Sequence, residues 1–133
     1  MRGLVSASTI TMDSKGTLYV ITSSSKKAAW KYENGKWVET NLKALEDTNA
    51  LYITELIAGV DDTIYALAAD KGVWRYDGRA WTDISGSSGW HVQEYFSESV
   101  NGIAQDKNGD LYAVKNGGVY KYNGSDWMLT GGP

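Results

Sequence analysis

Few residues in this chain are of the types that carry out chemistry. Its 133 residues include a single His, His91, and no Cys. A serine hydrolase needs a nucleophile held in an elbow such as GxSxG beside a His and an acid, and the chain has no such motif. One imidazole without thiolates is too few for most zinc sites. The acidic pairs Asp61-Asp62 and Glu46-Asp47 have the residue type used in glycoside hydrolysis, but adjacent acids in loops are ordinarily solvated. The run DKNGD at 106–110 has the look of a calcium loop. Such a loop needs Gly at its sixth position and Glu at its twelfth. Here Gly109 is fourth and Gly117 twelfth, so Asp106 and Asn108 are read as formers of a tight glycine turn. The sequon at 123–125 (NGS) also falls in a turn-forming stretch. The sequence therefore assigns no catalytic residue, no metal and no cofactor, and the expectation is a protein that is not an enzyme.

Aromatic residues are the richer signal, with 6 Trp and 9 Tyr against 1 Phe. Their spacing exposes an internal repeat. DSKGTLYV at 13–20, DDTIYAL at 61–67 and DKNGDLYAV at 106–114 correspond. Each is followed by an aromatic-basic-Tyr triplet: Trp30-Lys31-Tyr32, Trp74-Arg75-Tyr76 and Tyr120-Lys121-Tyr122. Each triplet leads through a Gly turn to Trp37, Trp81 or Trp127, always seven residues after the triplet begins. Leu18, Ile64 and Leu111 set the period at 46 and then 47 residues.

Within one unit the apolar segments are too short for helices and rich in Tyr and aliphatics, as strands are. An aliphatic stretch (5–12, 51–58, 98–105) precedes the first turn. LYVIT, IYALAA or LYAV follows it, then the triplet strand, then a strand beginning at the Trp. Their near-continuous apolar character predicts sheets covered on both faces. Loosely helical spacing of Leu42, Leu45, Asn49 and Leu56 allows a short helix within 42–56. Four short antiparallel strands per repeat is the pattern of a β-propeller blade. The phrases VNGIAQDKNGDLYAV, GVWRYDGRAW and GVYKYNGSDW resemble blades of two-component-regulator-type and tachylectin-2-like propellers. The second repeat departs from the pattern, with Gly59 in place of Asp13 and Asp106, and Asp62 in place of Gly16 and Gly109.

The fold expected is all-β: one repeat domain over 1–133, with blades at about 1–48, 49–94 and 95–133. Closed propellers have about four to eight blades, so three would leave two aromatic sheet faces open. No strand remains for closing the ring by a shared blade. Two chains head to tail would give six blades around a two-fold axis, and a homodimer of that kind is the preferred expectation. A piece of a longer propeller and a swapped or stacked assembly are the alternatives.

A net charge of −3 offers no basic field for nucleic acid or an acidic membrane surface. No run approaches the ~20 apolar residues of a membrane span, and the first residues lack a signal-peptide segment. The paired aromatics of each triplet share a strand face and are assigned to blade packing. Lys31, Arg75 and Lys121 lie on the other face, where their stems are expected to pack on the adjacent blade. The second turns and inter-blade connections vary, and variable loops on a regular scaffold are where function usually sits. Trp90, His91 and Tyr95 occur there once only. They form the expected ligand site, with Asp70, Lys71, Lys115 and Asn116 from neighbouring turns. A small carbohydrate is the expected ligand, and the resemblance implies the same. A protein-interaction or sensor module is the alternative.

Overall fold

The computed structural model describes residues 7–22, 28–42, 53–68, 72–86, 100–115 and 117–130. They form three four-stranded antiparallel sheets, each a meander of consecutive strands. The first contains β1 (Ala7–Met12), β2 (Leu18–Thr22), β3 (Ala28–Glu33) and β4 (Lys36–Glu39). The second contains β5 (Ile53–Ala58), β6 (Ile64–Ala68), β7 (Gly72–Tyr76) and β8 (Trp81–Asp83). The third contains β9 (Val100–Gln105), β10 (Leu111–Lys115), β11 (Gly118–Tyr122) and β12 (Trp127–Leu129). The all-β, three-blade expectation holds. Where a short helix was allowed within 42–56, residues 53–56 belong to β5, Leu56 pairing with Ala66, because its blade partners outweigh the loose helical spacing. Residues 43–52 lie outside the described residues.

Register makes the repeats equivalent. Tyr19 pairs with Lys31, Tyr65 with Arg75 and Tyr112 with Lys121. Since neighbouring strand residues point to opposite faces, each blade has two distinct sides. The trailing side carries Tyr19, Ile21, Ala29 and Lys31 in blade one, and Tyr65, Leu67, Val73 and Arg75 in blade two. The leading side carries the paired aromatics and the final Trp.

The core lies between blades. In the first seam, Tyr19, Ile21 and Ala29 meet Leu56, Ile64, Ala66 and Tyr76. In the second, Tyr65, Leu67 and Val73 meet Ile103, Leu111, Ala113 and Trp127. Burying a side chain such as Leu67 or Val73, each fully enclosed, contributes about 1.5–3 kcal/mol. Tyr19 and Tyr76 meet edge-on across the first seam, 6.1 Å between ring centres.

Each seam is also fastened by an indole. The Trp81 Nε1–H donates across the first seam to the Thr40 hydroxyl at 2.8 Å. The Trp127 Nε1–H donates across the second to the Ile84 carbonyl at 2.8 Å. Thr40 and Ile84 are equivalent, since their amides donate to Ala29 and Val73 carbonyls respectively.

Turn residues are chosen by geometry. Asn34 (φ 53°) and Gly35 (φ 75°) form a two-residue hairpin between paired Glu33 and Lys36, the conformation for which Asn-Gly is favoured. The Asp13 carboxylate accepts the amides of Lys15 at 2.9 Å and Thr17 at 3.0 Å. Asp106 likewise accepts those of Asn108 and Asp110, both at 2.9 Å. These acids hold turns.

The second repeat departs from the pattern for a reason located in its neighbours. Gln105 of blade three accepts the Val60 amide at 2.9 Å and donates to the Gly109 carbonyl at 3.0 Å. A Cβ on Gly59 would run into that Gln105 carboxamide oxygen, so a side chain there would displace Gln105 from its bond to Val60. Asp62 keeps the left-handed backbone of Gly16 and Gly109, with φ 65° against 86° and 89°. Its carboxylate reaches into blade one and accepts the Ser14 amide at 2.9 Å and the Ser14 hydroxyl at 2.7 Å.

Candidate functional site

The basic residue at the centre of each triplet behaves differently in the three blades. The Lys31 ammonium lies 3.3 Å from the Glu33 carboxylate and 5.8 Å from the centre of the Tyr76 ring in the next blade. Burial disfavours its charge, but Tyr76 and Glu33 outweigh burial and hold the pKa above the ordinary lysine value. The charged head thus reaches an aromatic face and an acid, as expected. Lys121 lies 3.6 Å from Asp110 and 5.9 Å from the Tyr112 ring centre within its own blade.

Arg75 is the exception. It is half-buried at the second seam, and no carboxylate pairs with it among the described residues. The acid nearest in sequence, Asp77, is occupied in its own turn, accepting the amides of Arg79 at 2.9 Å and Ala80 at 3.0 Å. Those bonds hold its carboxyl below the usual range. Beside Arg75 stands Tyr65, whose phenol is pushed up by burial and by Asp61, with the Arg75 charge acting the other way.

These two residues border a cleft of about 590 Å³ between blades two and three. The other wall includes Asp110, Lys121, Tyr122 and Asn123. Asn123 is fixed by accepting the amides of Ser125 at 2.9 Å and Asp126 at 2.8 Å. The Tyr122 hydroxyl donates to the Gly124 carbonyl at 3.0 Å. The cleft thus offers aromatic edges, one acid already beside Lys121, and a guanidinium with five donors and no acid paired with it among the described residues. Its charge balance is positive in a protein of net charge −3.

Of the residues expected to bind ligand, Trp90, His91, Tyr95, Asp70, Lys71 and Asn116 lie outside the described residues. Lys115 is described. It ends β10 opposite Gly118, roughly 13 Å along the strand from Leu111 and so at the far end from the cleft. Sequence reasoning singled out Arg75 for packing only. The available signal was that one repeat places Arg where the others place Lys.

The chain matches no protein-family model and no curated protein. Among solved structures it is similar to a catalytically inactive virginiamycin B lyase from Staphylococcus aureus in complex with quinupristin. The TM-score is 0.69 at 15% identity, over 97% of this chain and 42% of that one. The fold is that of a β-propeller. Neither the two-component-regulator nor the tachylectin resemblance is singled out by this likeness. One expectation is corrected by it: the protein was read as not being an enzyme, yet the same blade arrangement is the scaffold of a lyase. Lack of a recognisable catalytic motif in one sequence is therefore no ground for excluding catalysis on this fold.

Proposed function

We propose that this propeller binds a small hydroxyl-rich ligand carrying a carboxylate, a uronic-acid type of carbohydrate, in the cleft between blades two and three. The observation carrying this reading is Arg75. It is half-buried at the cleft wall with no carboxylate beside it among the described residues, whereas Lys31 and Lys121 each have one. A ligand carboxylate fits the planar fork of a guanidinium in two parallel hydrogen bonds. The rings of Tyr65 and Tyr122 and the polar edge of Asn123 suit the mixed apolar and hydroxyl faces of a sugar.

Isothermal titration with glucuronate and with glucose tests the reading. Glucuronate is expected to bind and glucose to bind at least tenfold more weakly. Arg75→Gln should abolish that preference while Trp90→Ala leaves it intact. Equal affinity for both sugars contradicts the proposal. So does loss of binding in Trp90→Ala with Arg75→Gln unaffected, which would place the ligand on the second-turn face.

A further inference from the structure

We propose that the two outward sheet faces of this chain are the halves of one more inter-blade seam. A second copy of the chain supplies the missing half at each end, closing a six-bladed ring around a two-fold axis. This inference is independent of the ligand assigned to the cleft.

On the trailing side, Ile21 and Leu67 are 2% and 0% exposed, but their equivalent Val114 is 39% exposed. On the leading side, Leu56 and Ile103 are buried while their equivalent Ile10 is 60% exposed. Trp127 is 3% exposed and Trp37 37%. The trailing face of blade three and the leading face of blade one thus carry the same apolar pattern as the internal seams, with Ile10, Trp37 and Val114 exposed where their counterparts Leu56, Trp127 and Leu67 are buried. Met12, at 53%, and Met128, at 57%, extend these surfaces. Patches of this kind on opposite sides of one molecule mark a contact between copies.

The polar fasteners recur as well. Thr40 donates its hydroxyl to the Ala29 carbonyl at 3.1 Å while accepting the Trp81 indole. Thr130 occupies the equivalent place in blade three and donates to the Val119 carbonyl at 2.9 Å, as Thr40 does to the Ala29 carbonyl. The matching donor is Trp37 of the second copy, whose indole N–H finds no acceptor among the described residues of its own chain. Lys121 is the counterpart of Lys31, which reaches Tyr76 across the first seam. Across the new seam it faces Tyr32 of the second copy, the residue equivalent to Tyr76. An apolar hollow of about 260 Å³, bordered by Tyr112, Val114 and Val119, receives the leading face. One chain thus carries both halves of a seam it already makes twice.

Sedimentation velocity on the full chain, diluted from tens of micromolar, tests the ring. The expected result is one species of twice the 14.6 kDa chain mass. Trp37→Phe keeps the ring but removes the indole N–H, and Lys121→Glu reverses the charge that faces Tyr32. Each should raise the dimer dissociation constant at least tenfold with unchanged far-ultraviolet circular dichroism. A monomer at every concentration overturns the proposal, as does a ladder of ever larger species. A dimer unaffected by both substitutions overturns the seam assignment.

Discussion

At the scale of residues, the informative positions are those where one repeat breaks the rule of the other two. Asp62 stands where Gly16 and Gly109 stand, at a positive φ that side chains rarely adopt. Asp and Asn tolerate that conformation better than most, and here the side chain also clasps Ser14 of the neighbouring blade. The two Ser14 hydrogen bonds hold the Asp62 pKa below its ordinary value of 3.8. A carboxyl depressed in the folded state adds stability above its unfolded pKa, and that stability is lost as pH falls through the lower folded value. Asp62→Asn keeps the backbone conformation but removes the titration. The melting-temperature gap between wild type and this variant should therefore shrink as pH is lowered from 7 towards 3. A gap constant with pH would show that the carboxylate charge plays no part. The sequence displays both departures, Gly59 and Asp62. Their cause is hidden in it, because the side chains that explain them, Gln105 and Ser14, lie 46 and 48 residues away along the chain.

At the scale of elements, most of the fold is legible in the sequence, since strand alternation, Gly turns and the invariant triplet-to-Trp spacing all repeat. The observed register repeats with that spacing: Leu18 opposite Tyr32 and Ile64 opposite Tyr76 are one arrangement twice. The helical reading of 42–56 failed at Leu56 because a leucine spacing in one repeat carries less information than agreement among three. What the strands do to each other was less legible. The final Trp of the second and third repeats, legible in the sequence only as the start of a fourth strand, is also the hydrogen-bond fastener of its seam. The two fasteners differ in consequence. Trp127→Phe leaves the enclosed Ile84 carbonyl without its indole donor and opens space at a buried site, so it should cost about 2–4 kcal/mol. Trp81→Phe loses its bond to Thr40, whose hydroxyl still engages Ala29, and should cost about 1–2 kcal/mol. Urea unfolding of the two variants measures the order. Equal costs, or the reverse order, would contradict the account of the seams.

At the scale of the whole molecule, the repeat made an open three-blade array evident, and aromatic content announced that its end faces would be apolar. Which residues would cover them was not evident, because the two sides of a blade become distinguishable only once strand register fixes where each side chain points. The cleft at Arg75 was hidden for the same reason. It is formed by strands of two blades and lies at the turn end opposite to Lys115, the one described member of the expected ligand site. The similarity to a lyase that is more than twice as long agrees with an arc of blades that more blades can extend. Seam chemistry links these observations, since the same junction builds the core, lines the cleft and is left half-made at both ends. Hydrogen exchange at the tryptophan indole nitrogens, followed by nuclear magnetic resonance, reads that junction directly. The Trp81 and Trp127 indole protons, bonded across internal seams, should exchange slowly at any concentration. The Trp37 indole proton should be comparably protected at high concentration and lose protection on dilution. Exchange of the Trp37 proton as fast as a free indole at every concentration would contradict the claim that the open faces complete a further seam.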